Sequence, residues 1–277
     1  MKLHVINPKG DMNFHTHTTY CDGKDTPREM ADRAVELGFR ALGFSGHGFL
    51  ECDTDCCMTR EGEDAYFREI SDMKEEYRGV LDIRVGLERD YYNRHHFHPY
   101  DYEIGSVHYV EKDGYYTAID DTPERLEEGV NRCFDGDFRA FCERYFELES
   151  EVLQVTGAEI VGHFDLIRKL NHGNRFFNEN AAWYKDLAIS AVRKIAKTKV
   201  KRRSTITDLL GESDLPIFEI NTGGMAKGYR STPYPADFIL DEIARLGLPV
   251  ILQSDCHDRK KLNYAFSDLL PKLNAER

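Results

Sequence analysis

Asn13-Phe14-His15-Thr16-His17-Thr18-Thr19-Tyr20-Cys21-Asp22-Gly23 is the stretch on which the reading of this chain turns. Side chains alternate faces along a strand, so two histidines one residue apart on an extended segment point the same way. A His-x-His pair at a strand end can put two imidazoles on one metal ion, and Asp22 follows as a hard oxygen donor. A short motif of this kind needs a structural context, and the rest of the chain supplies one.

Working outward, short apolar runs alternate with longer helical patterns. Strands are predicted at Met12–His15, Ala41–Ser45, Ile83–Leu87, Tyr102–Val107, Glu159–His163, Pro216–Ile220 and Pro249–Gln253. Between them, Thr26-Pro27-Arg28-Glu29 reads as an N-cap, a first-turn proline and a capping glutamate. Met30, Ala31, Ala34, Val35 and Leu37 then form an apolar stripe that Gly38 ends. Thr122-Pro123 and Thr232-Pro233-Tyr234-Pro235 are read as further helix starts, and 141–156, 181–197 and 236–246 as helices. Strands alternating with helices predict parallel β/α units. No Ser/Gly-rich linker divides the chain, so we expect one domain over residues 1–277. A seven-stranded relative of the β/α barrel fits better than an open sheet. Residues 199–214 are expected to be a lid or an insertion after the long helix.

Every one of these strand runs ends in a polar group. His15 and His17 end the first and His47 follows the second in Ser45-Gly46-His47. Glu88, His108 and His163 end the third, fourth and fifth; Asn221 ends the sixth; Asp255 and His257 end the seventh. In a parallel barrel all those C-terminal ends converge on one rim, where such folds build active sites. Six of the eleven histidines follow strand ends, whereas scatter over helices and loops is the expectation for chance. The others are His4, His95, His96, His98 and His172; His95-His96-Phe97-His98 reads as a Pro-bounded exposed loop. Donors at the rim are His15, His17, Asp22, His47, Glu88, His108, His163, Asp255 and His257, more than one ion uses. Two or three divalent ions (Zn, Mn or Fe) are therefore expected. Such a cluster activates water and neutralises phosphoryl charge; metal clusters also serve amide hydrolysis, so the donors alone leave the substrate open. Arg168 and Lys169 beyond His163, and Lys227 and Arg230 beyond Asn221, favour a phosphate. Of these, Arg168, Arg230 and Lys227 are the expected substrate-binding residues.

A net charge of -12 speaks against a nonspecific nucleic-acid binder, and the basic run 194–203 reads as a solvated helix face. No segment resembles a signal peptide or a membrane span. Seven cysteines without a secretory signal indicate reduced thiols in a cytosol. Cys52-x3-Cys56-Cys57 lacks a second pair at finger-like spacing and reads as loop thiols.

His15-Thr-His17, Ser45-Gly46-His47, Gly86-Leu87-Glu88, Gly105-Ser106-Val107-His108, Gly162-His163-Phe164-Asp165 and Ser254-Asp255-Cys256-His257 stand in the order of the PHP (polymerase and histidinol phosphatase) superfamily, which the chain resembles from residue 12 to about 265. Ile-Gly-Ser-Val-His, Val-Gly-His-Phe-Asp-Leu-Ile-Arg-Lys and Glu-Ile-Asn-Thr-Gly-Gly look most like the monofunctional histidinol-phosphate phosphatase branch. The resemblance implies a distorted (β/α)7 TIM-like barrel with a trinuclear site at the C-terminal rim. One ion would take His15, His17, Glu88 and Asp255; a second Asp22, His47 and His257; a third would share Glu88 and use His108 and His163. It implies hydrolysis of L-histidinol phosphate by a metal-bridging hydroxide, with Glu88, Asp255 and His257 as catalytic residues. Asp255 or His257 is a candidate to protonate the leaving alkoxide only if one of them is not fully committed to metal. Gly46 stands where relatives often carry Asp, and Ala226 where they commonly carry Arg. Glu51, Asp53 or Asp55 could receive the cationic end of the substrate. Rival readings are a phosphoesterase for another small ester or nucleotide, and a noncatalytic metal- or phosphate-binding regulator.

Overall fold

The computed structural model describes residues 2–275. Among them lie ten strands: β1 (His4–Val5), β2 (Met12–Asn13), β3 (Ala41–Phe44), β4 (Asp82–Asp90), β5 (Tyr102–Ser106), β6 (Tyr109–Lys112), β7 (Tyr115–Ala118), β8 (Ile160–Val161), β9 (Ile217–Asn221) and β10 (Pro249–Gln253). Eight form one sheet in the order β1-β10-β9-β8-β5-β4-β3-β2, and every neighbouring pair in it is parallel. The sheet curls until a parallel bridge between Thr16 and Cys256 joins the extension of β2 to that of β10. All seven predicted strands are there, in a distorted TIM-like barrel, with β1 added beside the start of β10.

Buried parallel strands need apolar side chains on both faces. Inside the barrel, Met12, Phe14, Ala41, Tyr102, Ile104, Ile160, Ile217 and Ile251 form one core cluster. Tyr102 lies across it and donates its hydroxyl to the carbonyls of Phe14 and Phe44, at 2.6 and 3.1 Å. Gly43 and Gly86 leave room for its ring, because a Cβ at either would overlap it. A second, larger core packs the outer faces of the strands against the helices. Thr26 and Glu29 form the expected capping box at the start of the helix Pro27–Glu36. The other long helices are Arg60–Glu76, Pro123–Phe134, Phe138–Thr156 and Ala182–Ile195.

Three expectations change and one element is new. Thr232–Pro235 starts no helix: Tyr234 exchanges backbone hydrogen bonds with Asn221 at 2.8 and 3.0 Å, and the helix begins at Asp237. A residue before proline is pushed toward extended backbone, and Tyr234 precedes Pro235. The basic run is no helix face, since the helix ends at Ile195; Arg202 instead donates to the carbonyls of Gly211 and Leu215. Residues 199–214 form no lid over the rim. Ile206, Leu209 and Leu210 join the inner core, Thr205 bonds the Asp101 carbonyl at 3.1 Å, and Arg203 pairs with Glu103 and Glu159. Those partners stand at the N-terminal ends of β5 and β8, so the segment plugs the barrel floor, away from the histidines. The antiparallel hairpin β6–β7 was not expected at all.

Candidate metal centre and active-site cavity

The strand ends bring all nine predicted donors together. Asn13 Oδ1 accepts from the backbone N–H of His15, and both His15 and His17 are fully buried. Glu88, on the inward face of β4, is the hub. Its Oε2 lies 3.1 Å from His15 Nε2, 3.4 Å from His17 Nε2 and 3.0 Å from His47 Nδ1. Its Oε1 lies 2.9 Å from His163 Nε2 and 3.3 Å from His108 Nε2, and accepts from Ser106 Oγ at 2.7 Å. Asp255 Oδ1 is 3.2 Å from His17 Nε2 and 3.7 Å from His15 Nε2. Its backbone is left-handed, at φ 49°, a conformation that costs a non-glycine residue roughly 1 kcal/mol or more and persists where surroundings over-determine it. At the outer edge, Asp22 Oδ2 is 2.9 Å from His257 Nε2, and its Oδ1 is 3.5 Å from His17 Nδ1 and 3.9 Å from His47 Nε2.

These donors make four overlapping groups: His17-Asp22-His47-His257, His15-Glu88-His163, His15-His17-Asp255 and His47-Glu88-His108. Within them the buried atoms His15 Nε2, His17 Nε2 and Glu88 Oε2 have no hydrogen-bond partner. Buried polar atoms are normally partnered; here two imidazole nitrogens and a carboxylate oxygen face one another bare, the donor set and geometry that divalent cations require. The electrostatics agree. Burial and the neighbouring His257 and His47 push His17 down to about 3, which keeps its imidazole neutral and able to ligate. Burial opposes ionisation of Glu88, but His15, His47 and His108 outweigh it and hold the carboxyl well below its ordinary range. His15 is the exception: burial, the largest influence, would lower it, but Glu219, Glu88 and Asp255 together raise it well above its ordinary value, so a cation at Nε2 would have to displace a proton.

Two carboxylates that the sequence reading missed stand behind the ligands. Glu219, on β9, accepts from His15 Nδ1 at 2.6 Å, and Asp90 accepts from the His108 backbone at 2.9 Å and faces its Nδ1 at 3.2 Å. The signal for Glu219 was a charged residue amid the apolar run Ile217-Phe218-Glu219-Ile220, two positions from Asn221 and so on the same face.

The cluster floors a cavity of about 620 Å³. Around it stand Lys169, Lys227, Asp120 and Asp121, with Asp53 and Asp55 from the 50–57 loop and Tyr109, Tyr115 and Tyr116 from the hairpin. Lys169 Nζ donates to Asp120 at 2.9 Å, Lys227 Nζ is 3.5 Å from His257 Nε2, and Tyr109 donates to Asp53 at 2.5 Å. Glu51 is exposed and outside this lining. Cys52, Cys56 and Cys57 are free and belong to the same loop. Ala226 brings no charge, but Gly46 has a steric reason: a Cβ there would stand 3.2 Å from Cys21 Sγ.

Two of the three expected substrate-binding residues point elsewhere. Arg168 donates to Asp165 at 2.7 Å and to Glu179 at 3.0 Å. Arg230 grips Glu179 with both terminal nitrogens at 2.9 and 2.8 Å. Both line a neighbouring cavity. A buried guanidinium needs a carboxylate, and Glu179 captures both; Lys227, Lys169 and Arg125 are the lysines and arginine that line the main cavity.

The family model for the PHP domain matches residues 13–202. Histidinol-phosphatase of Bacillus subtilis is 27% identical over 282 residues, covering 93% of this chain and 97% of its own. Among solved structures, a Listeria monocytogenes protein described as a histidinol phosphatase superposes with a TM-score of 0.74 at 22% identity, over 93% of this chain and 99% of that one. Histidinol phosphate phosphatase of Lactococcus lactis, solved with zinc, L-histidinol and phosphate, gives 0.64 at 18% identity, over 96% and 94% of the two chains. These two likenesses are of fold. With more than half of its length under the family model, and with the donor cluster at the rim, the chain belongs to the PHP domain family.

Proposed function

We propose that this chain is a metal-dependent phosphomonoesterase that hydrolyses L-histidinol phosphate to L-histidinol and phosphate. The observation that carries the reading is the set of bare, buried donor atoms His15 Nε2, His17 Nε2 and Glu88 Oε2 on the floor of a cavity with acidic walls. The full-length likeness to the Bacillus subtilis histidinol-phosphatase, and the zinc, histidinol and phosphate of the Lactococcus lactis complex, support the same substrate.

In this reading His15, His17, Glu88 and Asp255 hold one ion, Asp22, His47 and His257 a second, and Glu88, His108 and His163 a third. Bound there, divalent ions activate water as the nucleophile and neutralise phosphoryl charge. The residues of the chain do the rest. Glu88 is shared by the first and third of these sets, and it accepts a bond from Ser106. Lys227 and Lys169 give the phosphate positive charge at the floor. Asp53, held by Tyr109, and Asp55 face the substrate's amine and imidazole. We place the enzyme in the cytosol as a single barrel domain; seven free cysteines suit a reducing compartment.

Phosphate release from L-histidinol phosphate by manganese- or zinc-loaded protein, beside nucleotides and sugar phosphates, tests this. Preference for histidinol phosphate, abolished by exhaustive chelation, is the expected result. Turnover confined to other esters overturns the substrate, and full activity after chelation overturns the chemistry.

A further inference from the structure

Glu219 lies outside the donor set yet touches more of it than any other residue of β9. Its side chain is fully buried. Oε1 accepts from His15 Nδ1 at 2.6 Å. Oε2 accepts from the backbone N–H of His163 at 2.7 Å and from Asn221 Nδ2 at 3.0 Å. The same Asn221 amide nitrogen reaches Asp255 Oδ2 at 3.3 Å, and Asn221 Oδ1 is fixed by the Gly223 N–H at 2.7 Å. One carboxylate therefore ties the segments that carry His15 and His163, and through one amide Asp255.

We propose that Glu219 is a positioning residue that locks His15 in the Nδ1–H tautomer and so presents its bare Nε2 to a cation. The inference rests on the metal-centre reading. The hydrogen-bond pattern gives it a sharp form. The backbone N–H of His163 and the amide of Asn221 can only donate to Glu219. Both oxygens of residue 219 must accept if His15 is to carry its proton on Nδ1, and only a carboxylate offers two acceptors there.

Glutamine cannot substitute, although it has the same shape. With its oxygen toward His163 and Asn221, its NH₂ group faces His15 Nδ1. The ring must then accept at Nδ1 and carry its proton on Nε2, the atom that points at Glu88 and Asp255. With the amide reversed, His15 keeps its tautomer, but NH₂ confronts two donors and the His163 backbone loses its partner. Either choice misdirects a ligand. Loss of a carboxylate behind a ligating histidine typically weakens metal binding by about 10–100-fold.

The experiment compares wild type, Glu219→Gln and Glu219→Asp in two measurements. Nitrogen-15 NMR of the imidazoles in chelator-stripped full-length protein reads the His15 tautomer, with His15→Asn identifying the resonance. Zinc titration against a competing chelator reads affinity without any substrate. We expect Nδ1–H in wild type, a change of His15 tautomer or a displaced His163 resonance in Glu219→Gln, and zinc binding about 10–100-fold weaker in that variant. Glu219→Asp, which keeps two acceptors, should retain the tautomer and lose less affinity. A wild-type His15 protonated on Nε2 and not on Nδ1 overturns the proposal without recourse to any variant, as does Glu219→Gln with unchanged tautomer and affinity. Wild type that shows Nδ1–H and binds no zinc instead refutes the metal centre while leaving the Glu219 contact standing.

Discussion

Changing Lys169 to methionine removes the cation bonded to Asp120 while keeping the aliphatic stem. Burial pushes the Asp120 carboxyl up, but Lys169 and then His108 more than reverse that and hold it at about 2, from an ordinary 3.8. That drop corresponds to about 2 kcal/mol. The Asp120 side chain keeps 27% of its surface, so solvent screening reduces the useful figure to about 1–2 kcal/mol. The sign follows from linkage: a depressed carboxyl contributes stability above its unfolded value near 4, and the contribution fades as pH falls toward 2. Without the ammonium, burial dominates, the carboxyl rises, and the loss begins at higher pH. Urea midpoints from pH 3 to 7 for wild type, Lys169→Met, Asp120→Asn and the double variant supply the double-mutant cycle. We expect a coupling of about 1–2 kcal/mol at pH 7 that shrinks at pH 3. Coupling near zero at pH 7, or one that grows on acidification, would refute the charge-pair account.

Glu88→Gln should release metal and lower kcat on L-histidinol phosphate by about 10³-fold, because a charge about 4 Å from a cation is worth roughly 4 kcal/mol at an effective dielectric of 20; metal analysis of purified protein checks the first half. Lys227→Ala should raise KM for the phosphate ester by about tenfold, whereas Arg230→Ala should leave KM nearly unchanged and lower the melting temperature, since its guanidinium is spent on Glu179. Leu210→Ala, in the plug under the barrel, should cost about 2–5 kcal/mol in denaturant unfolding with kcat unchanged.

Much of this architecture was readable because parallel barrel strands are apolar on both faces and end on one rim. Runs such as Pro249–Gln253 followed by Ser254-Asp255 therefore announce both a strand and a site. Short-range signals were less fully used. Asp113-Gly114, both at positive φ, is the turn of the β6–β7 hairpin, and Asp-Gly between alternating residues is a strong hairpin signal. What sequence order hides is long-range partnership. Arg168, Arg230 and Glu179 are separated by 11 and 51 positions from one another's pairing partner, so no local pattern tells a phosphate clamp from an ion-pair knot. Likewise nothing local in 199–214 marks Ile206, Leu209 and Leu210 as core, and only barrel closure turns them into a floor.

The seam of the barrel has a consequence for how its two edges are held together. His17 donates its backbone N–H to the Cys256 carbonyl at 3.0 Å, Lys24 donates to that of His257 at 2.8 Å, and Asn13 bonds Ser254 and Leu262. The earliest donors in the chain thus meet the latest, some 240 residues on, across this seam. An ion held by His15, His17 and Asp255 would therefore bridge the two edges of that seam and add to its hydrogen bonds.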